Sequence, residues 1–226
     1  MEKTQSTLYV GARATSNVQL RLAFLLRILF HRVFLHTRII VLEMPHGEAA
    51  RAWLAHVSAN KVRARVAGIA DIPRFAPFRK FEGGGGDPRE RMKAGHLGFI
   101  GEDNGIITGY VWVAFGEHYI GEIERKIRMG PGSAYAYNGY TDIRYRGRGI
   151  LPVLLMTASE YLSQNGIREI YTVVLQHNDP PLRSHQKIKS RKMGTVTFLR
   201  LFGLRRYKLK GETPADLHKL MEIFSI

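Results

Sequence analysis

The sequence predicts an α+β protein, with a mixed central β-sheet flanked by helices and an added N-terminal amphipathic helix. Two observations carry the prediction for the sheet. Leu97 to Gly101 and Ile106 to Phe115 are apolar, β-prone runs joined through Asn104-Gly105, which is a strong hairpin signal. Ser133 to Ile143 and Glu169 to Leu175 are two further strand candidates separated by a helical pattern, and such a crossover joins parallel strands.

The composition is that of a globular protein without cysteine. Of the 226 residues, 45% are apolar and 23% are charged. Because there is no cysteine, a disulfide framework, a thiolate-ligated zinc site and a cysteine nucleophile are excluded, and a reducing, cytoplasmic location is expected. The nine histidines show no metal-ligand spacing, so we expect no metal.

The charge balance points to anionic partners. The formal net charge is +15, from 34 Lys and Arg against 19 Asp and Glu. Between Pro180 and Gly211 there are ten basic residues and no acidic one. A phosphorylated cofactor, a nucleic acid and an anionic membrane surface all fit this charge, and a solvated basic face is the alternative.

The first 59 residues are expected to lie outside the main domain. Residues 1–17 are polar and aperiodic and predict a loose terminus. Val18 to about Thr37 predicts a basic amphipathic helix, which would cover the rest of the fold or lie peripherally at a membrane surface. Its recurring charges exclude a transmembrane span. Arg38 to Glu43 predicts an edge strand.

The main domain is expected over residues 60–211, after a short helix at Glu48 to Val57. Lys61 to Ile69 alternates basic and apolar residues, the pattern of a half-buried strand. A loop with two prolines and four consecutive glycines, Gly83 to Gly86, follows it. Asp87-Pro88-Arg89-Glu90 then predicts a helix start, with Asp as the N-cap.

The second half of the domain continues with alternating elements. Gly116 to Met129 is a charged connection, and Ile150 to Asn165 predicts a helix that Gly166 ends. A second helix is predicted from about Pro180 to Lys189, followed by two strands around Phe202-Gly203. Residues 212–226 predict a short C-terminal helix capped by Thr213-Pro214.

The segment between the strand at Ser133 and the helix at Ile150 carries the strongest chemical signal. It reads Arg144-Tyr145-Arg146-Gly147-Arg148-Gly149. Glycines let a backbone approach a pyrophosphate, and the N-terminus of a helix adds partial positive charge. The segment is neither a P-loop nor a dinucleotide fingerprint, and the alternative is a glycine-rich turn with exposed arginines.

Together with the helix ending at Gly166, the strand EIYTVVL and Asn178, this segment resembles the acyl-CoA-binding half of the GNAT superfamily of N-acyltransferases. The resemblance covers roughly 133–210 and extends less strongly from about residue 60. The family's loop pattern, Q/R-x-x-G-x-G/A, falls on Arg146, Gly149 and Leu151. It implies a partly splayed sheet, with free backbone N–H groups from Tyr140 to Ile143, and acetyl-CoA or another acyl-CoA as co-substrate. The cofactor-binding residues it implies are Thr141, Ile143, Arg144, Arg146, Gly147, Arg148, Gly149, Ile150, Leu151 and Asn178.

The sequence departs from the family pattern at three places. Leu151 stands where the family has Gly or Ala, and the following Pro152 has no N–H group to offer a phosphate. Lys189-Ser190 replaces the family's Gly-Phe. His185 stands at the position of the usual tyrosine general acid, and a histidine can give a proton to a departing thiolate.

The catalytic residues implied are therefore His185 as acid and, as the base, a carboxylate of the sheet region. The candidates for the base are Glu102, Glu117, Glu122, Glu124 and Asp142, of which Asp142 is nearest the loop, and water is the alternative. The aromatic strand with Tyr135, Tyr137 and Tyr140, and the loops from Phe75 to Gly86, are expected to shape the acceptor pocket.

The expected reaction is transfer of an acetyl or other short acyl group from acyl-CoA to an amine by direct attack in a ternary complex. Such an enzyme positions the two reactants and polarises the carbonyl, so it needs no covalent intermediate. The alternative is a catalytically degenerate GNAT-like module that binds nucleic acid or an anionic membrane surface through its basic face.

Overall fold

A computed structural model describes residues 34–57, 63–78 and 86–225. The predicted loose terminus and most of the predicted amphipathic helix lie outside these residues. The last four residues of that helix prediction are wrong, because Phe34 to Thr37 begin a β-strand.

The described part of the chain contains five α-helices and ten β-strands. The helices are α1 (Glu48–Val57), α2 (Pro88–Lys93), α3 (Ile150–Gln164), α4 (Asp179–Lys187) and α5 (Pro214–Phe224). The strands are β1 (Phe34–Glu43), β2 (Arg63–Val66), β3 (Leu97–Asp103), β4 (Ile106–Ala114), β5 (Glu117–Ile120), β6 (Arg125–Arg128), β7 (Ser133–Thr141), β8 (Glu169–Leu175), β9 (Arg191–Leu201) and β10 (Leu204–Gly211). Short 3-10 helices occur at Ile69–Phe78, Gly121–Ile123 and Ile143–Tyr145.

The chain divides into two compact units. The larger unit is Arg38–Val196 with Leu209–Ile226, and the described part of the smaller one is Phe34 to Thr37 with Thr197–Lys208. In the smaller unit, the rings of Phe198 and Tyr207 stack at 5.0 Å between centroids across the β9–β10 hairpin.

The main sheet is mixed, which confirms the predicted α+β class. Its order is β10-β9-β1-β8-β7-β4-β3-β2, and β7 pairs with β8 in parallel while β1 and β8 are antiparallel. Strand β1 therefore lies inside the sheet, and the prediction of an edge strand at Arg38 to Glu43 is wrong. Its run of β-branched residues suits this interior place, because Ile39 and Val41 are buried.

Local sequence signals account for several element boundaries. Asn104 and Gly105 have φ of 49° and 77°, which is the backbone of a tight hairpin turn between β3 and β4. The Asp87 side chain accepts a hydrogen bond from the N–H of Arg89 and caps α2. Helices α1 and α3 begin at the predicted residues, and Gly166 follows α3 with φ of 82°.

Two segments differ from their sequence interpretation. Gly116 to Met129 contains a second, two-stranded sheet of β5 and β6, which buries Ile120, Ile123 and Ile127. The proline-containing loop is a 3-10 helix at Ile69–Phe78 whose Phe75 and Phe78 pack against the ring of Tyr110. Within the described ranges, no helix is long and apolar enough to span a membrane.

Candidate active site

Strands β7 and β8 separate part of the way along their length. Their parallel pairing runs from Ser133↔Glu169 to Ala136↔Thr172 and stops there, although β7 continues to Thr141 and β8 to Leu175. Each strand stays paired on its other side, β7 with β4 and β8 with β1. The splayed pair that the resemblance implies is thus observed. The gap opens after Ala136, earlier than the predicted Tyr140 to Ile143.

Two cavities meet at this gap. The larger one, about 920 Å³, is lined by Tyr135 and Tyr137 and is called the tyrosine cavity. The smaller one, about 510 Å³, is lined by the segment from Tyr145 to Pro152 apart from Arg148, and is called the loop cavity. Residues that line both cavities are Gly139, Leu151, Asn178 and Pro181. A long ligand can therefore lie in both cavities at once.

A β-bulge shapes the β7 side of the gap. Tyr110 pairs with Tyr140 and Trp112 with Tyr137, so two residues of β7 oppose one residue of β4. One of the two, Asn138, has φ of 50°. With its amide oxygen turned toward Arg91, it accepts hydrogen bonds from both terminal nitrogens of that side chain, at 3.0 and 2.7 Å.

The loop cavity lies at the N-terminus of α3. Gly147 and Gly149 have φ of 80° and 75°, which glycine adopts without strain, and Gly149 is the N-cap of the helix. No side chain accepts a hydrogen bond at this cap. The N–H groups of Ile150 and Leu151 are left for a ligand, while Pro152 has none. The backbone is therefore built to receive an anion.

Basic side chains from two elements line the same cavity. Arg146 comes from the loop, and Arg183 and Lys187 come from α4. Other basic residues of the run from Pro180 to Gly211 are neutralised instead. Arg191 bridges Glu43 and Asp216, each at 2.7 Å, and Lys192 pairs with Glu212. Some basic residues of this run therefore line the loop cavity, and others form ion pairs within the fold.

The structure brings together most of the predicted cofactor-binding residues but not all of them. The loop cavity is lined by Thr141, Arg146, Gly147, Gly149, Ile150, Leu151 and Asn178. Ile143, Arg144 and Arg148 line neither cavity. The guanidinium of Arg148 lies 5.2 Å from the ring centre of Tyr145, and Ile143 is 72% exposed.

The carboxylate of Asp142, the predicted base, is hydrogen-bonded to Arg144 in the loop. Its carboxylate accepts hydrogen bonds from the backbone N–H of Arg144 at 3.0 Å and from that residue's guanidinium at 3.1 and 2.7 Å. These bonds lower the pKa of Asp142, which makes the carboxylate a weaker proton acceptor. It lines neither cavity.

His185, the predicted acid, lines the tyrosine cavity from α4. Its side chain is buried, and its Nδ1 lies 3.0 Å from the hydroxyl oxygen of Ser190. Burial lowers the pKa of His185 to about 4, so the imidazole is neutral at physiological pH. When the Ser190 hydroxyl donates to Nδ1, the proton of the ring stands on Nε2.

The other four carboxylate candidates differ in their ion pairs and in whether they line a cavity. Glu102 is ion-paired with Arg65 and Arg74, and Glu117 is ion-paired with Arg128. Glu124 lines neither cavity, whereas Glu122 lines the tyrosine cavity. Among the five predicted carboxylates, Glu122 is the one that lines the tyrosine cavity.

A cluster of histidine and tyrosine side chains also lines the tyrosine cavity. His96 Nδ1 lies 2.6 Å from the Tyr137 hydroxyl, and the His118 ring centre is 4.2 Å from that of Tyr137. Burial lowers the pKa of His118 to about 4 and also lowers that of His96. Both rings are therefore neutral at physiological pH.

Sequence reasoning missed Arg91, His96 and His118 as lining residues. Arg91 lies on α2 and His96 just before β3, five residues along the chain, whereas His118 lies on β5 and is brought to His96 by tertiary contacts, with 5.8 Å between the ring centres. The alternation of β5 and β6 around buried isoleucines was a usable signal for the small sheet that carries His118. In the described part of the chain, no group of three or more metal-ligating side chains occurs.

Comparisons with known proteins give distant likenesses. No protein-family model matches the sequence, and no curated protein does. A solved structure described as an acetyltransferase of the GNAT family, from Novosphingobium aromaticivorans, is 14% identical with a TM-score of 0.49, and the match covers 79% of this chain and 66% of that one. An aminoglycoside N-acetyltransferase solved with CoA is 16% identical with a TM-score of 0.45, over 56% of this chain and 89% of that one.

A ribosomal-protein-alanine N-acetyltransferase from Brucella melitensis is 12% identical with a TM-score of 0.42, over 56% of this chain and 90% of that one. Likenesses this distant do not transfer residue roles or substrates. The roles of the residues rest on the geometry of this chain, in which a mixed sheet with a splayed parallel pair opens onto the N-terminus of α3.

Proposed function

We propose that this protein is an acyltransferase that moves an acetyl or other short acyl group from acyl-CoA to an amine by direct attack in a ternary complex. The observation that carries the proposal is the gap between β7 and β8. It joins a basic cavity at a helix N-terminus to a second cavity lined by aromatic and titratable side chains. An acyl-CoA has a matching shape, with phosphates at one end and a thioester at the other.

The loop cavity would hold the phosphates. The N–H groups of Ile150 and Leu151 and the partial positive charge of α3 favour a pyrophosphate there. Arg146, Arg183 and Lys187 add three full charges from the walls. The missing donor at Pro152 is offset by these cations, so the departure from the family pattern reduces the number of hydrogen bonds without removing the site.

The pantetheine arm would pass between the two strands, beside Gly139. A Cβ atom at Gly139 would lie 2.9 Å from a methyl carbon of Leu151, so a side chain at this position would displace that methyl group. After Ala136 and Thr172, where β7 and β8 no longer pair with each other, the facing strand edges would offer backbone groups to the amides of the arm, as an added strand would. The thioester then reaches the tyrosine cavity.

Two side chains would serve the chemical step. The amine nitrogen attacks the thioester carbonyl, the C–N bond forms, and the C–S bond breaks. Glu122, directly or through water, accepts the proton that the amine loses. The neutral His185 donates the Nε2 hydrogen bond to the departing sulfur, which takes up one proton in the overall reaction.

A matched pair of glycine variants tests the phosphate site. Gly147 and Gly166 have φ of 80° and 82°, and a Cβ at either meets nothing within 4 Å. Replacing each by glutamate therefore imposes the same strain and adds the same charge, at opposite ends of α3. Titration calorimetry with acetyl-CoA is expected to show saturable binding to the wild type and to Gly166→Glu, and loss of binding in Gly147→Glu.

The salt dependence of the same titration separates the two classes of function. A nucleic acid held by phosphate contacts loses affinity steeply with salt, while a cofactor in a formed cavity loses much less. Absence of acetyl-CoA binding at millimolar concentration, or equal binding by the two glutamate variants, would overturn the proposal. Thiol release with a panel of amines then identifies the acceptor.

A further inference from the structure

The tip of the β9–β10 hairpin exposes three large apolar side chains within four residues. Leu201, Phe202 and Leu204 are 42%, 79% and 72% exposed, and Gly203 completes the turn. Scattered exposed apolar residues are ordinary, but three within four residues at a turn form a patch. These residues define the hairpin tip.

The left-handed backbone of the turn is unfavourable for the exposed phenylalanine. Phe202 and Gly203 have φ of 48° and 83°, the two left-handed positions of a two-residue hairpin turn. Asparagine suits the first of these positions, whereas a bulky residue there is strained. The stacked Phe198 and Tyr207 rings already pack the hairpin beneath the tip. Phe202 is therefore strained in its backbone and buries little of its side chain in the fold.

Basic residues follow the tip along β10. Arg205, Arg206 and Lys208 are exposed, and Leu204, Arg206 and Lys208 share one face of the strand because strand residues alternate. Strand β10 is an edge of the main sheet, where exposed charges discourage pairing with another chain. Edge protection accounts for the charges, but it does not account for the apolar tip.

We propose that this hairpin docks on an anionic lipid membrane, with Leu201, Phe202 and Leu204 in the interface and the basic residues against the headgroups. Apolar side chains that enter the acyl boundary, with cations beside them, are the two components of interfacial binding. Two of the three tip residues are aliphatic and can neither stack on nor hydrogen-bond to a base, which disfavours a nucleic acid. The proposal is independent of the acyltransferase function.

Vesicle flotation of the full-length protein tests the proposal. We expect binding to vesicles of phosphatidylglycerol and phosphatidylcholine, and much weaker binding to phosphatidylcholine alone. The double variant Phe202→Asn/Leu204→Ser should reduce partitioning about 100-fold, since each apolar side chain contributes roughly tenfold. Arg206→Glu/Lys208→Glu should reduce it at least about tenfold, because each basic residue near the surface contributes roughly fivefold.

The variants include their own folding controls. Phe202→Asn creates an Asn-Gly turn, so its thermal midpoint should equal or exceed that of the wild type. Ile69→Ser/Ile106→Ser removes two other exposed apolar side chains, 79% and 49% exposed, and should leave vesicle binding unchanged. In a Phe202→Trp variant, the tryptophan fluorescence left after subtracting the signal of Trp53 and Trp112 should shift to the blue when vesicles are added. Brominated acyl chains should quench it.

Several results would overturn the proposal. One is vesicle binding that survives in both the tip variant and the charge-reversed variant. Another is a wild-type dimer that the tip variant converts to monomer without lipid, which would make a second copy of the chain the occupant. Binding to DNA that equals vesicle binding and is unaffected by Phe202→Asn/Leu204→Ser would assign the basic strand to nucleic acid instead.

Discussion

Replacing Asp142 separates a structural role in the loop from a catalytic one. Its carboxylate accepts the backbone N–H of Arg144 and two guanidinium hydrogen bonds, and it lines neither cavity. Alanine at this position removes a cap, worth about 1 kcal/mol, and an ion pair to a largely exposed arginine, worth about 0.5 kcal/mol. The expected loss of stability is about 1–2 kcal/mol, or a fall of about 2–8 °C in the thermal midpoint.

Asn at the same position keeps an acceptor for the Arg144 N–H and removes only the charge. Asp142→Asn should therefore lose less than about 1 kcal/mol of stability. Its kcat should stay within about threefold of the wild type, while Asp142→Ala should raise the KM for acyl-CoA because the loop loses its shape. Thermal unfolding and steady-state thiol release measure both effects. A hundredfold fall in the kcat of Asp142→Asn, with KM and thermal midpoint unchanged, would show that Asp142 is the base after all.

Three further predictions follow from the gap. Burial lowers the pKa of His185 to about 4, so the unfolded chain binds more protons between pH 6.5 and pH 4, and stability should fall with pH by about 2 kcal/mol between pH 7 and pH 5. His185→Asn should make thermal midpoints less dependent on pH over that range, and an unchanged dependence would refute the role of burial. Glu122→Gln should lower kcat at least about 100-fold, while Glu117→Gln, which lies outside both cavities, should not. Gly139→Ala should weaken acyl-CoA binding with little loss of stability, because the contacted Leu151 methyl can move. Adding Leu151→Ala to the same chain should restore binding. If calorimetry finds no such rescue, the pantetheine arm does not pass beside Gly139.

The sequence predicted those parts of the fold that short-range signals determine. Helix α1 and strand β8 have the predicted bounds, and the turns at Asn104-Gly105 and Phe202-Gly203 connect the predicted strands. Such elements depend on periodicity, caps and turn residues that lie within a few positions of one another. The interior place of β1 depends instead on pairing with β8, whose residues lie 128 to 136 positions further along the chain, and no local pattern records it.

The part of the candidate site that the backbone of the glycine-rich loop forms was predictable from the sequence. The loop before α3 was identified from its glycines, and the structure places most of its residues around one cavity. The choice among five carboxylates was not predictable, because the arginines that pair with Glu102 come from distant positions in the chain, and only the folded chain shows that Glu122 lines the tyrosine cavity. Arg91, His96 and His118 were missed for the same reason, since the fold brings β5 with His118 and the segment with Arg91 and His96 to the same cavity.

A crystal structure of the protein with acetyl-CoA tests the central claim most directly. The account predicts the pyrophosphate within hydrogen-bond distance of the N–H groups of Ile150 and Leu151, the pantetheine arm between β7 and β8, and the sulfur beside His185. A CoA bound elsewhere, with the gap between β7 and β8 left open, would contradict it.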